Sequence, residues 1–237
     1  MRWSSASSTG FVRTNNEDDL CVNEKYRLFA VADGMGGHRA GEVASRLALT
    51  VLNREFERHL TAGGEVGDSL LQAVRKANRQ VFDESCRIDT YNGMGTTLSA
   101  CALHDRSLFL THVGDSRVYL VRTGEMLQLT EDHSVVQELL NEGRIKADEA
   151  AVHPYRNVLS RAVGTAVELE VDFRRVPVQA GDRLLLCTDG LTNQVSDAAI
   201  GKLLKNTDDP EKGVQELLRL ALEQGGSDNI TLILVVL

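Results

Sequence analysis

The sequence predicts an α+β fold with antiparallel sheets. Predicted strands follow one another in runs and predicted helices come in pairs, which differs from the regular alternation of βαβ proteins. Of the 237 residues, 42% are hydrophobic and only 3 are proline, and the composition shows no linker. A chain of this length and composition can bury one large core, so we expect a single domain over residues 1–237.

The amino-terminal half contains one helix pair among several strands. Apolar residues recur at helical spacing over residues 40–60 and again over about 68–85, which predicts two amphipathic helices. Short apolar runs predict strands before and after this pair, and a Thr-Gly turn separates the last two. The predicted strands are 26–32, 96–102, 107–113, 118–121 and 126–129.

The carboxyl-terminal half contains the second helix pair. Ser196 can cap a short helix that runs through residue 204. The Asp209-Pro210 step starts a second helix, which stops at the Gly225-Gly226 pair. Apolar runs predict buried strands over 184–187 and 230–236.

One stretch of the chain has little apolar periodicity. We expect a short helix within residues 133–143, followed by an irregular segment over 143–163 that contains His153 and Pro154. Loops of this length without strong structure are usually functional or disordered, so we expect a mobile connection there. His153 could reach a substrate from this segment, or it could be an ordinary surface histidine.

The charge and the cysteines argue against several classes of protein. The formal net charge of −8 disfavours nucleic acid as the main partner, because phosphate backbones attract a surplus of lysine and arginine. The four cysteines are far apart and form no Cys-x-x-Cys pair, which disfavours a disulfide framework or a zinc site. Signal-peptide and membrane-span patterns are not found either. We expect a cytoplasmic monomer that binds neither nucleic acid nor membranes.

Five aspartates at loop positions carry the main chemical signal. Four of them touch the end of an apolar run, and all lie among glycine, serine or asparagine residues. A carboxylate near a core is costly unless something pairs it, and hard divalent cations take oxygen ligands of this kind. Carboxylates from distant segments therefore indicate a metal-assisted hydrolase. The five are Asp18, Asp33, Asp115, Asp189 and Asp228.

These aspartates also have a purely structural interpretation. Asp-Gly and Asp-Asn sequences favour turns, so Asp33, Asp189 and Asp228 could merely shape loops. Asp115 could lie in a tight hairpin turn and form a surface ion pair with a neighbouring arginine.

Nine motifs spread over almost the full length are Gly10-Phe11-Val12-Arg13, Asn16-Glu17-Asp18, Asp33-Gly34-Met35-Gly36-Gly37-His38 with Gly41-Glu42, Met94-Gly95-Thr96-Thr97, Val113-Gly114-Asp115-Ser116-Arg117, Asp132-His133-Ser134, Asn157-Val158-Leu159-Ser160-Arg161-Ala162, Asp189-Gly190-Leu191 and Gly226-Ser227-Asp228-Asn229-Ile230-Thr231. In this order they resemble the metal-dependent protein phosphatase family, the protein phosphatase 2C or PPM type. Met35 is typical of the bacterial form, because animal members carry a histidine there that would serve as proton donor. Ser8 stands where many bacterial members have aspartate.

The resemblance implies a four-layer α-β-β-α sandwich, in which two antiparallel sheets are flanked by helix pairs and the metal site lies at one end. It also implies magnesium- or manganese-dependent hydrolysis of phosphoserine and phosphothreonine by a hydroxide held between two ions. Two adjacent cations can lower the pKa of a shared water toward neutrality, and phosphoryl transfer depends mainly on positioning and charge neutralisation. The implied partners are phosphorylated proteins, the products of a serine/threonine kinase.

The resemblance also implies a role for each aspartate. Asp33 would bridge the two central ions, and the Gly34 carbonyl would ligate one of them. Asp189 and Asp228 would complete the shell of the other ion, so that these three aspartates are the catalytic ones. Asp18 would act through metal-bound water. Asp115, together with Asp189, matches the ligands of a third ion in bacterial members.

Two further residues are candidates on the same basis. Arg13 matches an arginine that grips the substrate phosphate, for which a planar guanidinium is well suited; it could instead be a surface cation. His38 could donate a proton to the leaving oxygen, since imidazole titrates near neutrality, or it could orient Glu42 or a metal ligand. In contrast, Met94 and the Thr96-Thr97 pair are expected in core and strand.

Three functions remain open at the sequence level. The first is an active serine/threonine protein phosphatase. The second is a catalytically weak family member that acts as a regulatory binding module, which is disfavoured because every expected metal aspartate is present. The third is an unrelated two-metal hydrolase such as a nuclease, against which the acidic composition argues.

Overall fold

Two antiparallel β-sheets pack face to face in the computed structural model, which describes residues 1–36, 40–150 and 152–237. The strands are β1 (Arg2–Ser8), β2 (Asp18–Asn23), β3 (Leu28–Met35), β4 (Gly95–Thr96), β5 (Leu98–His104), β6 (Ser107–Val113), β7 (Arg117–Arg122), β8 (Glu125–Gln128), β9 (Asp172–Pro177), β10 (Arg183–Cys187) and β11 (Ile230–Val236). The first sheet has the order β1-β11-β10-β7-β8. The second has the order β2-β3-β5-β6-β9, with β4 paired to β3.

Helices cover the outer faces of both sheets. The α-helices of the described residues are α1 (Ala40–Thr61), α2 (Val66–Arg87), α3 (Val135–Asn141), α4 (Ala147–Ala150), α5 (Asp189–Thr192), α6 (Asp197–Lys205) and α7 (Pro210–Glu223). α1 and α2 pack on the second sheet, whereas α5, α6 and α7 pack on the first. The four-layer α-β-β-α fold predicted from the motifs is thereby confirmed.

The central strands bury both of their faces. In β3, Phe29 and Val31 point into the layer between the sheets, whereas Leu28, Ala30 and Ala32 face α1 and α2. Alternate residues of a strand point to opposite faces. A strand covered on both sides therefore favours apolar residues at successive positions, which is why most of β3, β10 and β11 is visible in the sequence as apolar runs.

Most predicted elements are confirmed to within a few residues, and the differences are systematic. The three strands that the sequence pattern did not reveal, β1, β2 and β9, all lie at sheet edges. β9 is mostly exposed and β1 is only half buried, so neither carries an apolar run. The predicted strand 96–102 is divided into β4 and β5 at Thr97, which turns toward Asp33.

The irregular segment predicted over 143–163 contains α4 and a series of turns in its described residues. None of the helices in the described part of the chain combines the length and hydropathy needed to cross a membrane.

Candidate active site

The loops that carry the aspartates meet at one end of the two sheets. The registers of β2 with β3, β7 with β10 and β10 with β11 bring these strand ends together. A cavity of about 280 Å³ lies there, and four of the five predicted aspartates line it. These are Asp33 in β3, Asp115 in the β6–β7 turn, Asp189 at the start of α5 and Asp228 just before β11. Arg13 and Gly34 line the same cavity.

The backbone around Asp33 is held firmly. Its N–H donates to the Thr97 hydroxyl at 2.8 Å, and its carbonyl accepts from the Thr97 N–H, also at 2.8 Å. At the next position, a Cβ added to Gly34 would lie 2.1 Å from the carbonyl oxygen of Gly41 and 2.6 Å from that of Glu17. Only glycine fits this close approach of three backbone segments.

Asp18 lies beside the cavity instead of lining it. It is paired with Asp33 in the β2–β3 register and is 7% exposed. Its Oδ2 accepts from the Thr188 hydroxyl at 2.8 Å, whereas its Oδ1 is buried without a hydrogen-bond partner in the described part of the chain. Burial, together with the nearby Asp189 and Asp228, raises the pKa of Asp18 to about 7.

Three of the cavity aspartates, Asp33, Asp115 and Asp189, have raised pKa values. Burial is the largest cause for each of these three, and carboxylate neighbours add to it. The pKa of Asp33 lies well above its ordinary value, that of Asp115 is raised to about 8, and that of Asp189 is also raised. Such a cluster disfavours its own ionised state unless positive charge is supplied.

These groups fit divalent cations. All of them offer oxygen atoms as metal ligands. Like Asp18 Oδ1, Asp189 Oδ1 is a buried carboxylate oxygen that lacks a hydrogen-bond partner among the described residues. No three acidic, histidine or cysteine side chains within 1–36, 40–150 and 152–237 are close enough to enclose an ion by themselves. Magnesium sites usually use only one or two carboxylates and retain several waters. A site in which the protein supplies only part of each ion's ligands agrees with this preference.

Arg13 supplies positive charge at the cavity. Its Nη2 donates to Asp228 Oδ2 at 2.8 Å, while 53% of its side chain remains exposed. The loop that carries it is fixed by Asn229, whose Nδ2 donates to the carbonyls of Thr9 (3.1 Å) and Asn15 (2.9 Å). Asn229 Oδ1 also accepts from the Glu17 N–H at 2.8 Å. One buried amide therefore ties the Arg13 loop to the residue after Asp228.

Sequence reasoning missed three contributors to this site. Glu17, Thr97 and Asn157 line the cavity. All three lie within the quoted motifs, but Glu17 and Asn157 were given no role, and Thr97 was expected in core and strand. Glu17 and Asp18 are adjacent, and successive residues of an extended chain point in opposite directions. Motif position could not decide which of the two carboxylates faced the cavity. Met94 and Thr96 lie in core and strand as expected.

The two histidine candidates differ in outcome. His38 lies outside the described residues, so its role stays a prediction. His153 packs against Tyr155, with ring centroids 5.6 Å apart, and its Nδ1 accepts from the Tyr155 N–H at 3.1 Å. It is not among the residues that line the cavity, which favours the surface-loop interpretation.

A second cavity of about 560 Å³ adjoins the first. The two share Asp115, Asn157, Asp189 and Asp228 as walls. The second extends between α3, the segment 143–163 and the end of α5, where Gln137, Arg156, Asn193 and Gln194 line it. The aspartate cavity therefore opens into a longer polar groove.

Comparison with known families identifies the chain. The model of the protein phosphatase 2C family matches residues 12–230. The chain belongs to the protein phosphatase 2C family. Among its relatives, the serine/threonine protein phosphatase PstP of Mycobacterium tuberculosis is 42% identical over 98% of this chain, but the match covers only 44% of PstP. The serine/threonine phosphatase stp of Listeria innocua is 42% identical over 95% of this chain and 92% of its own length.

Solved structures of family members have the same architecture. A crystal structure of M. tuberculosis PstP superposes with a TM-score of 0.92 at 41% identity, covering 100% of this chain and 98% of that one. A second structure, of the PstP catalytic domain in complex with two manganese ions, gives a TM-score of 0.88 at 40% identity and covers 98% and 96% of the two chains.

Proposed function

We propose that this family member is a metal-dependent phosphoprotein phosphatase that hydrolyses phosphoserine and phosphothreonine. The observation that carries the proposal is the cavity in which four aspartates from distant segments meet one exposed arginine. The names of its relatives, which are serine/threonine phosphatases, support the same activity. Because the chain spans less than half of PstP, the proposal concerns the part of such a protein that is present here.

The cavity residues would hold the metal ions. We assign the central pair to Asp33, Asp189, Asp228 and the Gly34 carbonyl, and a third ion to Asp115 with Asp189. When bound, magnesium or manganese supplies the Lewis acidity that activates water and neutralises phosphate charge. The two manganese ions of the PstP catalytic domain support the central pair.

The protein's own groups would bind and orient the phosphate. Arg13 is exposed, so its guanidinium can leave Asp228 and donate to phosphate oxygens through its planar fork without moving the loop that Asn229 holds. Thr97 keeps the Asp33 backbone in place, and Thr188 orients the Asp18 carboxylate beside it. Pre-arranged groups of this kind need little reorganisation during reaction, which is how positioning contributes to rate.

The groove would accept the polypeptide on either side of the phosphorylated residue. Its amide side chains, at Gln137, Asn193 and Gln194, can donate to and accept from a peptide backbone. The substrates are thus products of protein kinases. A monomeric state and a cytoplasmic location stay predictions, as do the single-domain organisation and the proton-donor role of His38.

Two comparisons test the proposed function. The purified protein should hydrolyse an aryl phosphate with manganese and lose this activity in EDTA, and it should dephosphorylate a phosphothreonine peptide but leave a phosphodiester intact. Absence of turnover with either monoester would favour the regulatory binding module. Faster cleavage of the phosphodiester would instead indicate a nuclease-like hydrolase.

A further inference from the structure

His133 is a buried histidine that the proposed chemistry does not use. It lies between β8 and α3, directly before Ser134, the N-cap of α3, and it is 3% exposed. Its ring centroid is 4.7 Å from that of His112. It occupies the middle of the Asp132-His133-Ser134 motif, to which the sequence alone assigns no role.

His133 holds both backbone groups of Gly114. The Gly114 N–H donates to His133 Nδ1 at 3.1 Å, and the His133 N–H donates to the Gly114 carbonyl at 2.7 Å. Gly114 has a φ of +108°, and an added Cβ would lie 2.5 Å from the Thr97 side chain, so the turn requires glycine. Asp115 follows directly and lines both cavities. The two contacts therefore set the path of the chain into Asp115.

The same residue also holds the segment 157–160. The Ser160 N–H donates to the His133 carbonyl at 2.9 Å, and the Val135 N–H donates to the Val158 carbonyl at 2.9 Å. Asn157 and Leu159, which alternate with these bonded positions, line the aspartate cavity. His133 thus lies between two segments that both face the proposed phosphate site.

The hydrogen bonds determine the protonation of the ring. Because Nδ1 accepts from Gly114, the ring must be neutral with its proton on Nε2. Nε2 faces Asp172 Oδ2 at 3.4 Å, a contact without hydrogen-bond geometry. Asp172 also pairs with Arg161 at 3.1 Å. Burial lowers the pKa of His133, which agrees with a neutral ring.

We propose that His133 is a positioning residue that locks the Gly114-Asp115 turn to the segment 157–160. Through it, the Asp115 carboxylate and the cavity-lining side chains of that segment keep one mutual arrangement. The effect of this lock on turnover rests on the proposed phosphatase function. The positioning of the two segments by His133 does not depend on that function, and it can be measured on metal-free protein.

Two matched variants separate the lock from simple core filling. In His133→Asn the amide oxygen can take the place of Nδ1 and accept from Gly114, whereas in His133→Gln the amide lies near the position of Nε2. Hydrogen exchange should be followed in peptides spanning 112–117 and 156–161. Loss of a buried hydrogen bond predicts about tenfold to a hundredfold faster exchange of both segments in the Gln variant. The Asn variant should stay close to wild type.

Equal exchange in the two variants, or a change confined to one segment, would overturn the proposal. Nitrogen-15 NMR of the unaltered protein is a second test, which does not depend on how the variants fold. The His133 ring should be neutral with its proton on Nε2, and any other protonation state refutes the lock. Aryl phosphate turnover should fall further in the Gln variant than in the Asn variant. An inactive wild-type protein would instead count against the phosphatase function. The hydrogen-exchange data would still test the positioning role of His133.

Discussion

Asp33 is the residue around which the other carboxylates gather. Asp18 lies opposite it in the sheet, and Asp18, Asp189 and Asp115 all raise its pKa. Its backbone is fixed through Thr97, so the carboxylate cannot easily move away from this repulsion. A charge held in place against like charges stabilises a bound cation and destabilises the protein without one.

Asp33→Asn should therefore have opposite effects on stability and activity. The amide removes one repelling charge, so the Tm of the metal-free variant should equal or exceed that of wild type. Manganese binding, measured by calorimetry, should weaken and nearly all turnover should disappear. Asp83→Asn, at an exposed carboxylate on α2, is the matched control. Unchanged metal binding with surviving activity would show that Asp33 is misassigned.

Arg13 should act mainly on capture of the phosphate. Removing a charged hydrogen-bond partner costs about 1.5–3 kcal/mol, so Arg13→Ala should raise KM roughly ten- to a hundredfold and lower kcat less. Arg79→Ala, which removes an exposed arginine from α2, should change neither. A large fall in kcat at constant KM would place the role of Arg13 in the transition state.

At the scale of elements, the segment 143–163 differs from its surroundings. Its last residues are held against 133–135, but Val152, Tyr155 and Val158 expose large apolar side chains. The segment also lines the second cavity, through Ala150, Arg156 and Asn157. We interpret it as a flap that contacts protein substrates, and its mobility stays a prediction.

Replacing residues 147–155 with a short Gly/Ser linker should reduce phosphopeptide turnover far more than aryl phosphate turnover, because a small substrate needs only the aspartate cavity. The same replacement at 62–65, the connection between α1 and α2, is a suitable control. The first residues of α1 lie beside the cavity, and because α1 has 22 residues, its last residues lie about 33 Å away from them. Equal losses on both substrates would mean that the segment supports the fold or the metal ions instead.

For the whole molecule, the clustered carboxylates link stability to pH and metal. Acids whose pKa is raised on folding favour the folded state at low pH, and this contribution is lost as pH rises through the folded-state values. The raised values are about 7 for Asp18 and about 8 for Asp115.

The Tm of metal-free protein should accordingly fall between about pH 4, the ordinary aspartate value, and about pH 8, the highest of these raised values. Manganese requires ionised ligands, so the increase in Tm that it causes should grow over the same range. Scanning calorimetry in EDTA and in manganese measures both curves. A manganese effect that stays constant with pH, or a metal-free Tm that rises, would contradict the proposed clustering.

The sequence by itself determined the longer helices, the strands that are buried on both faces and the identity of the aspartates, whereas the four-residue helices α4 and α5 were not predicted. These are local signals: apolar spacing identifies α1 or β11, and a motif identifies Asp33 or Asp228 whatever surrounds it. Edge strands such as β1 and β9 were not predicted because their residues are only partly buried or exposed, so these strands carry no apolar run.

Only the tertiary structure decided which side chains share the site. That Glu17 lines the cavity while Asp18 lies beside it depends on how β2 pairs with β3. That Asn229 holds the Arg13 loop, and that His133 joins Gly114 to Ser160, depends on hydrogen bonds between residues far apart in the chain. Such contacts arise from the packing of whole elements, and no periodicity or motif within a single segment records them.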